Sequence, residues 1–211
     1  MRFAIIGSNS LLASYLIERL SSDKVNQITL FGRSNTLAES SANLKFIQFR
    51  HPEHQLNFSA LLGYDVIIYC AAAGVQANSQ IETALIYEVN AFLPIRIITY
   101  LNDNGFAGKW LSFGSYFEVG NNNHEKAFTE EQVVASGLAV PNHYCSSKRL
   151  LTKFISNQLF AIKAFHFILP TIYGAAESPT RLIPYIVSAL KEDRPIQLSA
   201  GTQVRQYLHC K

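Results

Sequence analysis

Apolar and polar positions follow one another along this chain in two rhythms. Short runs that are apolar at nearly every position, residues 2–6, 27–31, 44–49, 65–70, 110–113 and 164–169, read as strands. Between them, apolar residues recur at helical spacing over residues 11–20, 82–102, 144–160 and 182–190. Strands that are apolar on both faces and alternate with helices predict a doubly wound α/β fold, a parallel sheet with right-handed crossovers. Residues 120–142, opening with GNNNHEK, read as a loop between a strand and a helix. After Tyr173 the text changes character, through GAAESPT and a last helix to PIQLSAGTQVRQYLHCK, where the pattern stops without a closing element. The predicted division is a main domain over residues 1–173 and the start of a smaller, truncated one over residues 174–211.

Composition narrows the classes of function. Hydrophobic residues make up 48% of the 211 residues and charged residues 16%, without acidic or basic blocks, as in an ordinary globular protein. A net charge of +3 is too small for a nucleic-acid surface, and no Lys/Arg stripe is interleaved with aromatics. An anionic small ligand remains compatible with it, as does a homodimer. No stretch reaches the ~18 apolar residues of a membrane span, and the N-terminus lacks a signal-peptide pattern. Three cysteines, Cys70, Cys145 and Cys210, are an odd number without metal-ligand spacing, which suggests a reduced, cytoplasmic protein with no metal site.

Three stretches carry candidate chemistry. GSNSLLA, residues 7–13, follows the first strand where a dinucleotide-binding loop would sit, with Ser10 and Ala13 in place of the second and third glycines. Alone it reads equally as a variant phosphate loop or an ordinary strand-turn-helix. HYCSSK, residues 143–148, puts Tyr144 and Lys148 four apart on one helix face. A lysine beside a phenol favours the phenolate and lowers its pKa from about 10, so that the tyrosine exchanges protons near neutrality. Such pairs also occur on helices that do no chemistry. WLSFGSYFEVG, residues 110–120, brings Ser115 to the end of a buried strand, with Ser112 as a competitor for the same role.

The order of GSNSLLA, DVIIYCAAA, an Asn in the next helix, SFGSYFEVG, YxxxK, PTIYG and RQYLH resembles the extended short-chain dehydrogenases/reductases, in their NAD-dependent epimerase/dehydratase branch. The likeness runs over nearly the whole chain and implies a Rossmann domain acting on nucleotide sugars. It makes Tyr144 the catalytic acid/base, Lys148 the residue that binds the nicotinamide ribose and depresses the tyrosine pKa, and Ser115 the catalytic serine. Gly7, Ser8, Asn9, Ser10, Leu11 and Leu12 become the pyrophosphate loop, with the amides of Asn9 to Leu12 meeting the phosphates at the helix N-terminus. Ala71, Ala72 and Ala73 match small residues that let the cofactor approach. Asn90 matches the supporting helix asparagine. Pro170, Thr171 and Ile172 match the segment beside nicotinamide and substrate, and Arg181 and Arg205 fall at substrate-binding positions, Arg205 for the diphosphate.

In FGRSN, Arg33 stands where an NAD enzyme usually has an acid, so NADP is the favoured cofactor and NAD the alternative; Ser34 could add a phosphate hydrogen bond. The pattern departs from the family in three further places. Residues 48–52 read QFRHP without the acid that contacts adenine, FEVG lacks the usual Tyr, and Gln206 replaces an Asp. Dehydratases carry Asp-Glu after the Ser/Thr, whereas here Tyr116 and Phe117 follow, which speaks against 4,6-dehydration. What remains is reduction of a 4-keto-6-deoxysugar nucleotide, with 4-epimerisation second and a non-catalytic NADP-binding sensor as a third, different class.

Overall fold

Strand β1 (Arg2–Ile6) lies inside a six-stranded sheet, flanked by β2 (Gln27–Gly32) on one side and β4 (Val66–Tyr69) on the other. The structure is a computed structural model, and it describes the whole chain except residues 36–41, 76–79, 123–126, 176, 199 and 202–203. With β3 (Leu44–Gln48), β5 (Lys109–Ser115) and β6 (Lys163–Leu169) the order is β3-β2-β1-β4-β5-β6, and every neighbouring pair is parallel. The chain winds outwards from β1 to β3 and then returns to β4. The crevice between the C-terminal ends of β1 and β4 is therefore the topological switch point, where doubly wound folds bind ligands.

Strand β4 is apolar at every position, and β1 at every position after Arg2, because both of their faces are covered. Ala4 and Ile6 of β1 join Ile67, Tyr69 and Trp110 in one core layer, while Phe3 and Ile5 join Ile28, Leu30 and Ile68 in the other. The second layer is closed by Leu12, Leu16, Ile17 and Leu20 of α1 (Leu11–Ser21). The outer strands β3 and β6 alternate in exposure instead.

Residues 82–102, read as one helix, form three pieces: α3 (Thr83–Tyr87), a π-turn over Glu88–Phe92 and α4 (Leu93–Asp103). At 21 residues this assembly is long and apolar enough to cross a membrane by length and composition, which the run of apolar residues alone did not indicate. Its apolar side packs on the sheet: Ile97, Ile98 and Leu101 are fully buried, each worth about 1.5–3 kcal/mol relative to exposure.

Four further elements escaped the sequence pattern, two short helices and the strand pair at the C-terminal end. A single turn, α2 (Phe58–Leu61), is capped by Asn57. Helix α5 (Glu130–Ala135) lies inside the segment read as loop and starts with a capping box between Thr129 and Gln132. Helix α6 (His143–Ser156) begins at Asn142, whose side chain accepts the Cys145 N–H, and ends four residues before its predicted limit. Beyond β6, β7 (Thr171–Tyr173) pairs in parallel with β8 (Tyr207–His209) around α7 (Leu182–Lys191). The C-terminal text that read as unfinished thus supplies a strand, for which Tyr207, Leu208 and His209 are too short a run to show a period.

Candidate active site

The loop after β1 is built for close approach. Gly7 has φ +87, and a Cβ there would overlap the backbone of Ala71, so the glycine lets the loop press against the strand end of β4. The Gly7 and Ser8 N–H groups both donate to the Phe31 carbonyl, at 2.8 and 3.1 Å, and the Ser10 N–H donates to the Gly7 carbonyl. The Ser10 hydroxyl caps α1 by accepting the Ala13 N–H at 3.2 Å. These bonds narrow the set of amides that can face a pyrophosphate: Ser8 and Ser10 are already engaged, while Leu11 and Leu12 lie in the first turn, where no intrahelical carbonyl reaches their N–H groups.

Asn9 points elsewhere. Its Oδ1 accepts the N–H of Arg33 at 2.7 Å and of Ser34 at 3.3 Å, and its Nδ2 donates to the Ser34 carbonyl at 2.8 Å. The side chain therefore ties the β1 loop to the turn after β2, and Gly32 has no room for a Cβ because Ser8 and Asn9 fill that space. Arg33 and Ser34 stand exposed at the rim of the same crevice.

On the other side of the switch point, Asn90 is fully buried in the π-turn. Its Oδ1 accepts the Ala73 N–H at 2.8 Å, and its Nδ2 donates to the Ala73 carbonyl and to Ser147 Oγ, each at 2.9 Å. One amide thus fixes the segment after β4, to which Ala71 and Ala72 also belong, against α6. Single π-turns within α-helices are frequent at functional sites.

Tyr144 and Lys148 meet Ser115 where β5 ends. Ser115 is the last residue of β5, paired in register with Leu169, so Pro170, Thr171 and Ile172 continue beside it. The Ser115 hydroxyl is close enough to the Tyr144 phenol to favour its ionised form, and Lys148 Nζ lies 6.0 Å from the centre of the Tyr144 ring while donating to the Phe113 carbonyl at 2.9 Å. Ser112, the competing serine, is fully buried and bonded to His166 Nδ1 at 2.8 Å, so it is turned away from this cluster. Arg181 contributes a positive field at Tyr144 and is paired with Glu177 at 2.6 Å. The Arg205 guanidinium lies 5.1 Å over the Phe117 ring, which brings the C-terminal segment onto the turn that follows Ser115.

The electrostatics correct one expectation. Lys148 does not pull the tyrosine towards neutrality here: burial dominates and pushes the Tyr144 phenol up to about 12, with the Ser115 hydroxyl opposing it. The same burial brings the Lys148 ammonium down to about 8. A phenol in this setting is neutral at pH 7 and holds a proton to give; the lysine remains mostly cationic.

Three residues behind the site, Glu118, Thr152 and His166, carried no functional weight in the sequence reading. Glu118 is fully buried in the short 3-10 turn Tyr116–Val119, where it accepts the Ser115 N–H at 3.1 Å and the Thr152 hydroxyl at 2.7 Å. Thr152 in turn meets His166 Nε2 at 2.9 Å, and His166 meets Ser112. Ser115-x-x-Glu118 is the signature of a capping box, the one signal in the text that would have found this carboxylate.

A tight glycine turn and a free helix N-terminus at the switch point of a parallel sheet define a Rossmann-type nucleotide-binding protein. The model of the NAD-dependent epimerase/dehydratase family matches residues 3–211, and the chain belongs to that family of enzymes. No curated protein matches it in sequence. Among solved structures, a dTDP-glucose 4,6-dehydratase from Bacillus anthracis in complex with NAD is 19% identical, with a TM-score of 0.75 over 100% of this chain and 68% of its own. A UDP-glucuronic acid 4-epimerase from Bacillus cereus, in complex with UDP-glucuronic acid and NAD, is 18% identical with a TM-score of 0.75, over 100% of this chain and 69% of that one. A UDP-N-acetylglucosamine 4-epimerase from Methanobrevibacter ruminantium is 15% identical with a TM-score of 0.82, over 99% and 69%. At these identities the likeness is one of fold.

Proposed function

We propose that this protein reduces the keto group of a nucleotide-diphospho-4-keto-6-deoxysugar, with Ser115, Tyr144 and Lys148 as its catalytic residues. The observation that carries the reading is the convergence of those three side chains at the C-terminal end of β5, beside the switch-point crevice. The residues around the crevice suit a dinucleotide: Gly7 leaves a cradle that a Cβ would fill, Leu11 and Leu12 offer unpaired N–H groups to phosphate, and Ala71–Ala73 present small side chains. Lys148 would hold the nicotinamide ribose, with Pro170 and Ile172 beside the ring, and Arg33 and Ser34 would receive a 2′-phosphate, which favours NADP over NAD. When bound, the reduced cofactor supplies a hydride to the carbonyl carbon.

The chain's own groups do the rest. Tyr144 gives its proton to the carbonyl oxygen as the carbon gains the hydride, so ketone becomes alcohol. Ser115 donates a hydrogen bond to the same oxygen and holds it in reach, while the Lys148 ammonium stabilises the phenolate left behind. Thr171, whose hydroxyl is buried without a partner among the described residues, together with Arg181 and Arg205, would hold the sugar and its diphosphate. The three free thiols, two of them buried, fit a cytoplasmic protein.

A 4-epimerase is the second reading, and structural neighbours whose names say 4-epimerase favour it. It would use the same three residues, with the tyrosine first taking the proton and then returning it. Thermal-shift titration with NADPH and NADH, followed by a panel of nucleotide sugars, tests both. Consumption of NADPH with a 4-keto sugar supports the reductase, and turnover without net cofactor use supports the epimerase. Tyr144→Phe should abolish turnover with cofactor binding kept. Stabilisation by neither cofactor would overturn the proposal, and a biological activity unchanged in Tyr144→Phe would favour a non-catalytic sensor.

A further inference from the structure

Among the described residues Glu118 is the one acid in the buried core, and its neighbours form a continuous hydrogen-bonded chain. Removing a carboxylate from water is costly, so a retained one needs a compensating arrangement. The donors here have only one consistent direction while the carboxylate is ionised. Thr152 has a single hydroxyl proton and gives it to Glu118 Oε2, so its oxygen receives the proton of His166 Nε2. His166 Nδ1 is then bare and accepts the Ser112 hydroxyl. Every proton from Ser112 through His166 and Thr152 points towards Glu118. The space this chain occupies explains Gly114, where a Cβ would overlap Glu118 Oε1 and come within 2.9 Å of His166 Nε2 and 3.1 Å of Thr152 Oγ1.

The charged and titratable groups facing Glu118 come from three directions. From α6 come Lys148, Arg149, Tyr144 and Cys145, and Arg149 Nε also donates to the Glu118 carbonyl at 2.6 Å. From β6 comes His166, and from the end of β5 the Ser115 amide.

We propose that Glu118 is a positioning residue of this site, one that holds the Ser115 turn through its amide and sets a buried negative charge against Thr152, one turn of α6 from Lys148. The inference rests on the reading of Ser115, Tyr144 and Lys148 as the catalytic residues, and adds to it a carboxylate that never touches substrate. Burial brings Lys148 down to about 8, and the Glu118 charge is the largest opposing influence. His166 stays neutral, pushed by burial down to about 3, so it transmits hydrogen bonds without adding charge.

The test is the titration of Lys148 in the whole 211-residue protein, followed by the NMR shifts of its 13Cε and 15Nζ nuclei and assigned by their loss in Lys148→Met. In Glu118→Gln the midpoint should fall by about half a pH unit or more, a threefold change in the ammonium fraction, and Glu118→Asp should restore most of it. An unchanged midpoint in Glu118→Gln overturns the proposal. Should that variant fail to fold, Glu118→Met decides: it also removes the charge, the Thr152 hydroxyl can turn to the Lys148 carbonyl at 3.2 Å, and the Lys148 midpoint should move the same way. If neither changes, the proposal falls. No substrate or cofactor enters these titrations, so their outcome is separate from that of the cofactor-binding and turnover tests.

Discussion

Asn90 holds Ala73 by both of its backbone polar groups, accepting the N–H at 2.8 Å and returning a proton to the carbonyl at 2.9 Å. A third bond to Ser147 spans to α6, so a single side chain locks two walls of the crevice together. Removing it strands all three partners in a buried place. Asn90→Ala should therefore cost about 2–4 kcal/mol, read by urea denaturation, since an unmade buried hydrogen bond costs about 1–3 kcal/mol. A loss under about half a kilocalorie would show that the π-turn is held by packing alone.

Gly7 meets two constraints at once, a φ of +87 and contact with Ala71. Gly7→Ala forces a methyl group into the Ala71 backbone, and should destabilise by about 2–4 kcal/mol, the sum of left-handed strain and overpacking. Because the loop must move away from β4 to relieve the overlap, NADH or NADPH affinity should weaken by about tenfold or more in a fluorescence titration.

Arg33 is held at the crevice rim by its backbone bond to Asn9, which leaves the guanidinium to meet a ligand. Arg33→Asp should turn cofactor preference from NADPH towards NADH by about tenfold or more, because a charge-assisted hydrogen bond is worth about 1.5–3 kcal/mol. Asn9→Ala should weaken both cofactors together, since it frees the whole turn. Equal affinities for NADPH and NADH in the unmodified protein would remove Arg33 from the argument for NADP.

Stability should depend on pH in three windows with different signs. His166 falls from 6.5 to about 3 on folding, so between those values the unfolded chain binds a proton that the folded one refuses. Stability is then fully present above 6.5 and declines as pH drops towards 3. Lys148, lowered from 10.5 to about 8, makes stability rise with pH across that interval. Tyr144, raised from 10 to about 12, makes it fall across its own. Urea denaturation at a series of pH values checks all three, and His166→Gln should flatten the acid limb.

Much of the architecture was legible in the text of the chain. VIIY and AII read as strands covered on both sides, and their alternation with amphipathic helices leaves a parallel sheet as the simple solution. Tyr144 and Lys148 fall on one helix face because the helical period requires it. The capping box of Ser115 and Glu118 was also present as S-x-x-E, yet its meaning depended on burial, which spacing does not reveal. Nor could spacing show that Asn9 turns away to hold Arg33, or that Ser112 faces His166 while Ser115 faces Tyr144.

Local sequence thus determined most of the elements and the order in which the switch point is reached, since periodicity and capping act over a few residues. The protonation of Tyr144 and Lys148 was decided only by the tertiary structure. The i, i+4 pair on its own favours a lowered phenol, whereas the folded protein buries both groups and raises it. Whether a charge keeps its water depends on residues far apart in the chain, here β5, β6 and α6 closing around one carboxylate, and no local pattern records that enclosure.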